Sequence, residues 1–109
     1  MHRFVARENI DHYLGILNSE VLLGPDKRDA IIKLLIAEID KLNHDPQQLE
    51  FAESRAAKGR ERLKVVRALR DAADPKDRTA AELLVTNVQA VNDLLQNFCH
   101  QLRASVNHR

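Results

Sequence analysis

The chain has 109 residues, enough for one domain, and its 17 basic and 16 acidic residues give a net charge of +1. This balance argues against a protein that binds polyanions over its whole surface, and an apolar content of 44% argues against intrinsic disorder. The single cysteine, Cys99, cannot form an internal disulfide, which favours a reducing, cytoplasmic location. The longest near-apolar run, Ala30–Ala37, is far shorter than the roughly 20 residues that cross a bilayer, so we expect no membrane segment.

Three prolines divide the chain into four predicted helices. Glycine is rare, and apolar residues do not alternate with polar ones, so the fold class is predicted to be all-α. Pro25, Pro46 and Pro75 each follow Gly or Asp, as is typical of a first helical turn. The helices are expected over about 5–19, 25–43, 46–73 and from 74 or 79 to about 105. We therefore predict a single domain, 1–109, with antiparallel hairpins at about 4–43 and 46–105. These form a four-helix bundle within one chain or by dimerisation.

The third and fourth helices have recognisable N-terminal signals. Asp45 is placed to accept hydrogen bonds from first-turn amides, and Gln48 stands where a capping box has Glu or Gln. Thr79 and Glu82 form a second capping-box pattern, which competes with Asp74 as the start of the fourth helix.

The same two helices carry apolar residues with matching heptad spacing. The inner positions of the third helix are Leu49, Ala52, Ala56, Gly59, Leu63 and Val66. Those of the fourth are Leu84, Val88, Val91, Leu95, Phe98 and Leu102. Antiparallel pairing places Val66 against Val88 and Gly59 against Leu95, so small residues oppose large ones at close range.

Two further features indicate extensive contacts for the second and fourth helices. The second has a broad apolar face, which predicts at least two neighbours. Its members are Ile31, Ile32, Leu34, Leu35, Ile36, Ile39 and Leu42. Between Leu83 and Leu102 the only charged residue is Asp93, and the outer positions are mostly amides. The fourth helix is therefore predicted to be the centre of the fold or an interface between chains, and we expect a homo-oligomer.

The third helix is the basic part of the chain. Residues 53–70 include seven basic and two acidic side chains, a local net charge of +5 against −4 for the remainder. We predict that a partner, such as an acidic protein surface, contacts Arg55, Lys58, Arg62 and Arg67. At 100° per residue Arg67 falls nearly opposite the other three. Nucleic acid is a less favoured partner, because the charges form two flanks and no aromatic residue within them could stack on a base.

The residues with catalytic chemistry do not form a recognisable set. Cys99 and His100 are adjacent, so on a helix their side chains point about 100° apart, and a buried Cys99 is expected. The Glu-x-x-His motif of di-iron bundles is absent at His12, His44 and His100. We expect no enzyme, no cofactor and no metal site.

Two resemblances accompany these patterns. The segments 7–14 and 26–38 resemble a short helical hairpin common in small uncharacterised bacterial proteins, which implies a bacterial, cytoplasmic protein. The run Arg55-Ala56-Ala57-Lys58-Gly59 resembles the His-x-x-Lys-Gly motif of histidine phosphotransfer domains, which are four-helix bundles. Arg55 replaces the phosphoacceptor histidine, so the likeness implies a docking domain without phosphotransfer.

The predicted function is therefore a non-catalytic protein–protein interaction or regulatory module that self-associates. The alternatives are a nucleic-acid-binding protein that uses the third helix and a degenerate phosphotransfer-like docking domain.

Overall fold

The computed structural model describes residues 2–19 and 23–107, and it confirms the all-α prediction. Its helices are α1 (His2–Leu17), α2 (Pro25–Leu42), α3 (Leu49–Ala72) and α4 (Arg78–Asn107), with a 3-10 turn at Pro46–Gln48 before α3. No strand occurs in these two ranges. None of the helices described is long and apolar enough to span a membrane.

The helices form two antiparallel hairpins, α1–α2 and α3–α4, which pack into a bundle with α4 at its centre. α4 contacts α1, α2, α3 and the 3-10 turn, and α2 contacts both α1 and α4, as predicted. The buried face of α2 is narrower than predicted. Leu34 is 50% exposed and Ile36 is 38% exposed, because these residues lie at the two edges of the stripe that Leu35 and Ile39 bury.

The predicted N-terminal signals are only partly correct. Asp45 is the cap that precedes the 3-10 turn, and its Oδ1 accepts a hydrogen bond from the Gln47 amide at 3.1 Å. In a capping box the side chain of Gln48 would accept a hydrogen bond from the Asp45 amide. Here its Nε2 instead donates a hydrogen bond to Asp45 Oδ2 at 3.1 Å. α4 begins at Arg78, so both predicted starts are wrong: Asp74 lies in the connection before the helix, and Thr79 is already inside it, which rules out the second predicted capping box.

The predicted seam between α3 and α4 is confirmed. Ten of its twelve inner residues are buried, and the other two, Leu49 and Leu84, are partly buried at its ends. Gly59 faces α4, because a β-carbon built on it would lie 3.3 Å from Leu95 Cδ1 and 3.9 Å from the Asn92 Cα. The absence of a side chain at Gly59 thus allows close approach of the two helices.

The α3–α4 hairpin is longer than the α1–α2 hairpin. At 1.5 Å per residue, the 30 residues of α4 span about 45 Å and the 18 residues of α2 about 27 Å. Accordingly, a small second apolar cluster lies apart from the main core, where Leu63, Val66 and Val88 pack with Leu84 and Val85. We call residues 63–88 the distal segment. It extends past the level at which Arg28, near the start of α2, contacts Asn87 of α4.

Candidate interaction surface

Arg55, one of the four predicted contact residues, belongs to a ladder of side-chain contacts that joins α1 to the 3-10 turn and α3. The two helices run parallel, and each contact joins residues 44 positions apart: Arg3–Gln47, Arg7–Phe51 and Asp11–Arg55. Arg55 donates to both carboxylate oxygens of Asp11, at 2.6 and 2.8 Å, and its guanidinium lies 4.4 Å from the centre of the Phe51 ring. Asp11 raises the pKa of Arg55 further through this hydrogen bond. The side chain therefore joins two helices of its own chain.

Lys58 and Arg62 follow Arg55 on the same flank of α3. Lys58 is exposed and lines a cavity of about 230 Å³ between α1 and α3, together with Gly15 and Asn18 of α1. Arg62 is partly buried, and its Nε has no hydrogen-bond partner among the described residues. Lys58 is consequently the more accessible of the two cations.

Arg67 lies on the other flank of α3, where the outer amides of α4 accept hydrogen bonds from arginine. Arg67 donates to Gln89 Oε1, and Arg60 donates to Gln96 Oε1 at 3.1 Å. On another side of α4, Arg28 of α2 donates to the buried Asn87 at 3.0 Å. The amide side chains of α4, which were predicted to be partly buried, thus accept hydrogen bonds from arginines of two helices, α3 and α2. The four predicted contact residues do not share one surface.

An exposed apolar surface on the distal segment was missed by the sequence analysis. Val65 is 49% exposed and Leu69 is 54% exposed, and Ala68 and Ala72 beside them are also exposed. We call these four residues the distal face. Their spacing of three, four and seven residues places them on one side of α3, away from the seam that buries Val66. The same spacing in the sequence was the signal that could have revealed it.

Among the other exposed apolar residues, Leu34 shares one side of α2 with the exposed Ala30 and Ala37, but this group has a single large side chain. Leu34 and Ile36 are two positions apart on α2 and so point to nearly opposite sides. Phe4 and Val5 are adjacent near the start of α1, where Phe4 lines a shallow polar cavity. Isolated exposed apolar side chains are normal on proteins, whereas a group of four on one helix face is informative.

Cys99 is buried, as expected. Its side chain lies in the main core, and burial raises the pKa of the thiol, with Glu53 adding to the shift while Arg103 and Arg60 oppose it. The thiol therefore stays protonated at neutral pH and is a poor nucleophile. Within residues 2–19 and 23–107, no three His, Cys, Asp or Glu side chains are close enough to hold a metal ion together.

No protein-family model, curated protein or solved structure shows significant similarity to the chain. The helical-hairpin and phosphotransfer resemblances stay predictions. For the second, Gly59 has a structural role of its own, since it packs against Leu95.

Proposed function

We propose that this chain is a non-catalytic protein–protein interaction module, of a regulatory kind, that self-associates through the distal face of α3. The observation that carries the proposal is the exposure of Val65 and Leu69 on the distal segment, whose tip extends past the contact between Arg28 of the first hairpin and Asn87. A contiguous group of exposed apolar side chains on a helix is typical of a surface that packs against another helix.

The internal packing of the distal segment supports the same proposal. Its own core has three buried residues, Leu63, Val66 and Val88, whereas the main core draws on all four helices. Two helices alone bury little apolar surface, and a domain gains stability when a further layer covers them. A second copy that covers the distal face would supply that layer.

An acidic protein partner is supported less well. Arg55 is paired with Asp11 and Arg62 is partly buried, so Lys58 and Arg67 are the more accessible of the predicted cations. These two lie on opposite flanks of α3, because Lys58 lines a cavity beside α1 whereas Arg67 contacts Gln89 of α4. One acidic surface would have to reach around the helix to bind both.

The proposal is tested by measuring the mass of the protein in solution over a wide concentration range. Sedimentation equilibrium of the wild type should show a mass that rises from 12.4 kDa toward twice that value with concentration. Leu69→Glu should keep the protein monomeric, because it places a charge in the centre of the contact.

Leu34→Glu is the matched control, since Leu34 is 50% exposed and Leu69 is 54% exposed. Both variants should keep the helical circular dichroism of the wild type, because neither side chain is in the core. A wild-type mass that stays at that of one chain at every concentration would refute the proposal. Equal effects of Leu34→Glu and Leu69→Glu on association would also refute it.

A further inference from the structure

The cavity between α1 and α3 lies next to the ion pair of Asp11 and Arg55 and measures about 230 Å³. The buried side chains of Leu14 and Leu95 form its apolar part, and the other lining residues are glycines or polar residues. Pockets that hold drug-sized molecules measure about 300–1,000 Å³. The cavity is therefore suited to a smaller molecule.

Gly15 of α1 lines this cavity, and the fold itself does not require a glycine there. Its φ is not positive, and a β-carbon built on it would have no neighbour within 4 Å, so neither backbone conformation nor packing calls for the residue. A glycine inside a helix lowers the stability of the helix relative to alanine. What the glycine supplies is space, because a larger side chain would occupy part of the cavity that Gly15 lines.

The charged residues of the lining leave one positive charge in excess. They are Asp11, Arg55 and Lys58. Both carboxylate oxygens of Asp11 accept hydrogen bonds from Arg55, at 2.6 and 2.8 Å, so these two charges balance each other. Lys58 is exposed and takes part in none of the ion pairs formed within residues 2–19 and 23–107. Its ammonium group is therefore available to an anion.

The charges that flank the lining in the sequence do not cancel this excess. Four acidic residues flank it, and the side chains of three are already bonded to other side chains. These are Glu53 (to Arg103), Glu61 (to Lys64) and Asp93 (to Gln89), and the fourth is Glu8. Arg60 and Arg62 also flank the lining, so the basic residues around the cavity are at least as numerous as the acidic ones.

Asn18 adds a second polar group to the lining. Its Oδ1 is buried and has no hydrogen-bond partner among the described residues, so the amide nitrogen is the part of this side chain that can donate to a ligand. An ammonium group and an amide N–H together suit the two oxygens of a carboxylate.

From these features we infer that the cavity binds a small monocarboxylate with a short apolar chain, of which butyrate is an example. The carboxylate accepts hydrogen bonds from Lys58 and Asn18, and the apolar chain lies beside Gly15 against the two leucines. An apolar cavity with a few convergent polar groups is typical of a small-molecule site. A doubly charged anion fits less well, because the carboxylate of Asp11 is part of the lining. The inference does not use the distal face and so is independent of the proposed function.

Chemical shifts of the isotope-labelled full chain measure this binding. Titration with sodium butyrate should move the amide signals of Gly15, Asn18 and Gly59 in a saturable way, with a millimolar dissociation constant, as expected for so small a ligand. Sodium chloride at the same concentration should not move them. Butanamide has the same shape without the charge, and it should bind about fivefold more weakly. If acetate, butyrate and isovalerate all fail to give a saturable shift, the inference is wrong.

Lys58→Gln tests the charge. It should weaken the binding of butyrate by about fivefold and leave butanamide unchanged, because only the charge-assisted bond is lost. The matched control is Lys27→Gln, since Lys27 is also an exposed lysine and lines the groove on the other side of Gly15, between α1 and α2. That variant should bind butyrate as the wild type does. An effect of Lys27→Gln equal to that of Lys58→Gln, or no effect of Lys58→Gln, would overturn the inference.

Gly15→Leu tests the space. The leucine should fill part of the cavity and weaken butyrate binding by roughly tenfold, whereas Gly15→Ala adds one carbon and should stay within about threefold of the wild type. Both variants should keep their helical circular dichroism, because both residues favour a helix more than glycine does. Undiminished binding by Gly15→Leu would contradict the site. Leu69→Glu should bind butyrate normally, so that a failure of self-association and a failure of this inference are told apart.

Discussion

Gly59 of α3 and Leu95 of α4 lie in direct contact at the middle of the long hairpin. A β-carbon on Gly59 would come within 3.3 Å of Leu95 Cδ1 and within 3.2 Å of Asn92 Oδ1, both tighter than ordinary van der Waals contact. This glycine has a helical backbone, so it is required here for space and not for an unusual conformation.

The first prediction is that Gly59→Leu destabilises the protein by overpacking the seam. The added side chain must displace Leu95 or separate the helices, at a cost of about 1–3 kcal/mol in the free energy of unfolding. Gly15→Ala is the control, because a β-carbon there would have no neighbour within 4 Å. That variant should gain about 0.5–1 kcal/mol from helix propensity. Urea unfolding measures both, and an unchanged midpoint for Gly59→Leu would contradict the packing.

The α3–α4 seam could be predicted from the sequence because its pattern is local and repeated. Two heptad series of similar length, joined by a short turn at Asp74–Asp77, allow few antiparallel registers. Among these, the one that sets Gly59 against Leu95 also matches the small residues Ala52 and Ala56 with large residues of α4. The start of α3 was less predictable, since Gln48 bonds the side chain of Asp45 instead of its amide.

The positions of the basic side chains could not be predicted, because they depend on contacts between helices distant in sequence. The charge on α3 identifies Arg55 as cationic, but only the fold places Asp11 of α1 beside it. The distal face is a different case. The predicted helix ranges already contained the unequal lengths of the hairpins, and Val65 and Leu69 lie outside the predicted inner stripe that includes Leu63 and Val66.

A second prediction concerns the contact between Asp11 and Arg55. Since Asp11 is 44% and Arg55 23% exposed on their side chains, a double-mutant cycle with Asp11→Ala and Arg55→Ala should give a coupling energy of about 0.5–1 kcal/mol. Arg55→Ala should cost more than Asp11→Ala, because it also removes the stacking on Phe51. Neither variant should change the dimer dissociation constant. A zero coupling energy in urea unfolding would contradict the ladder.

A third prediction concerns the reactivity of Cys99. Because the thiol is buried and its pKa is raised, iodoacetamide at neutral pH should modify it very slowly in the folded protein. In urea the rate should approach that of a free thiol. In the native state the rate should follow the opening of the core, so Gly59→Leu should accelerate the reaction. Mass spectrometry measures the extent of alkylation over time. Rapid modification of the folded wild type would show that Cys99 is accessible and would contradict this prediction.

The last prediction concerns the acid sensitivity of the cap at Asp45. The hydrogen bond from Gln48 has the largest effect and lowers the pKa of this carboxyl. Burial, the next largest effect, opposes it, and the Gln47 amide and the charges of Arg3 and Arg7 lower the pKa further. Because the pKa is lower in the folded than in the unfolded chain, the stabilisation is complete above the unfolded value of about 3.9 and disappears as the pH falls through the folded value.

Asp45→Asn tests this pH dependence, since asparagine also caps helices but carries no charge. Urea unfolding at several pH values from about 6 to about 2 should show the wild type more stable than the variant at the upper end. The difference should shrink as the pH falls, because protonation makes the two side chains similar. A difference that stays constant with pH would mean that the charge of Asp45, with Arg3 and Arg7 beside it, adds nothing to the stability of the cap.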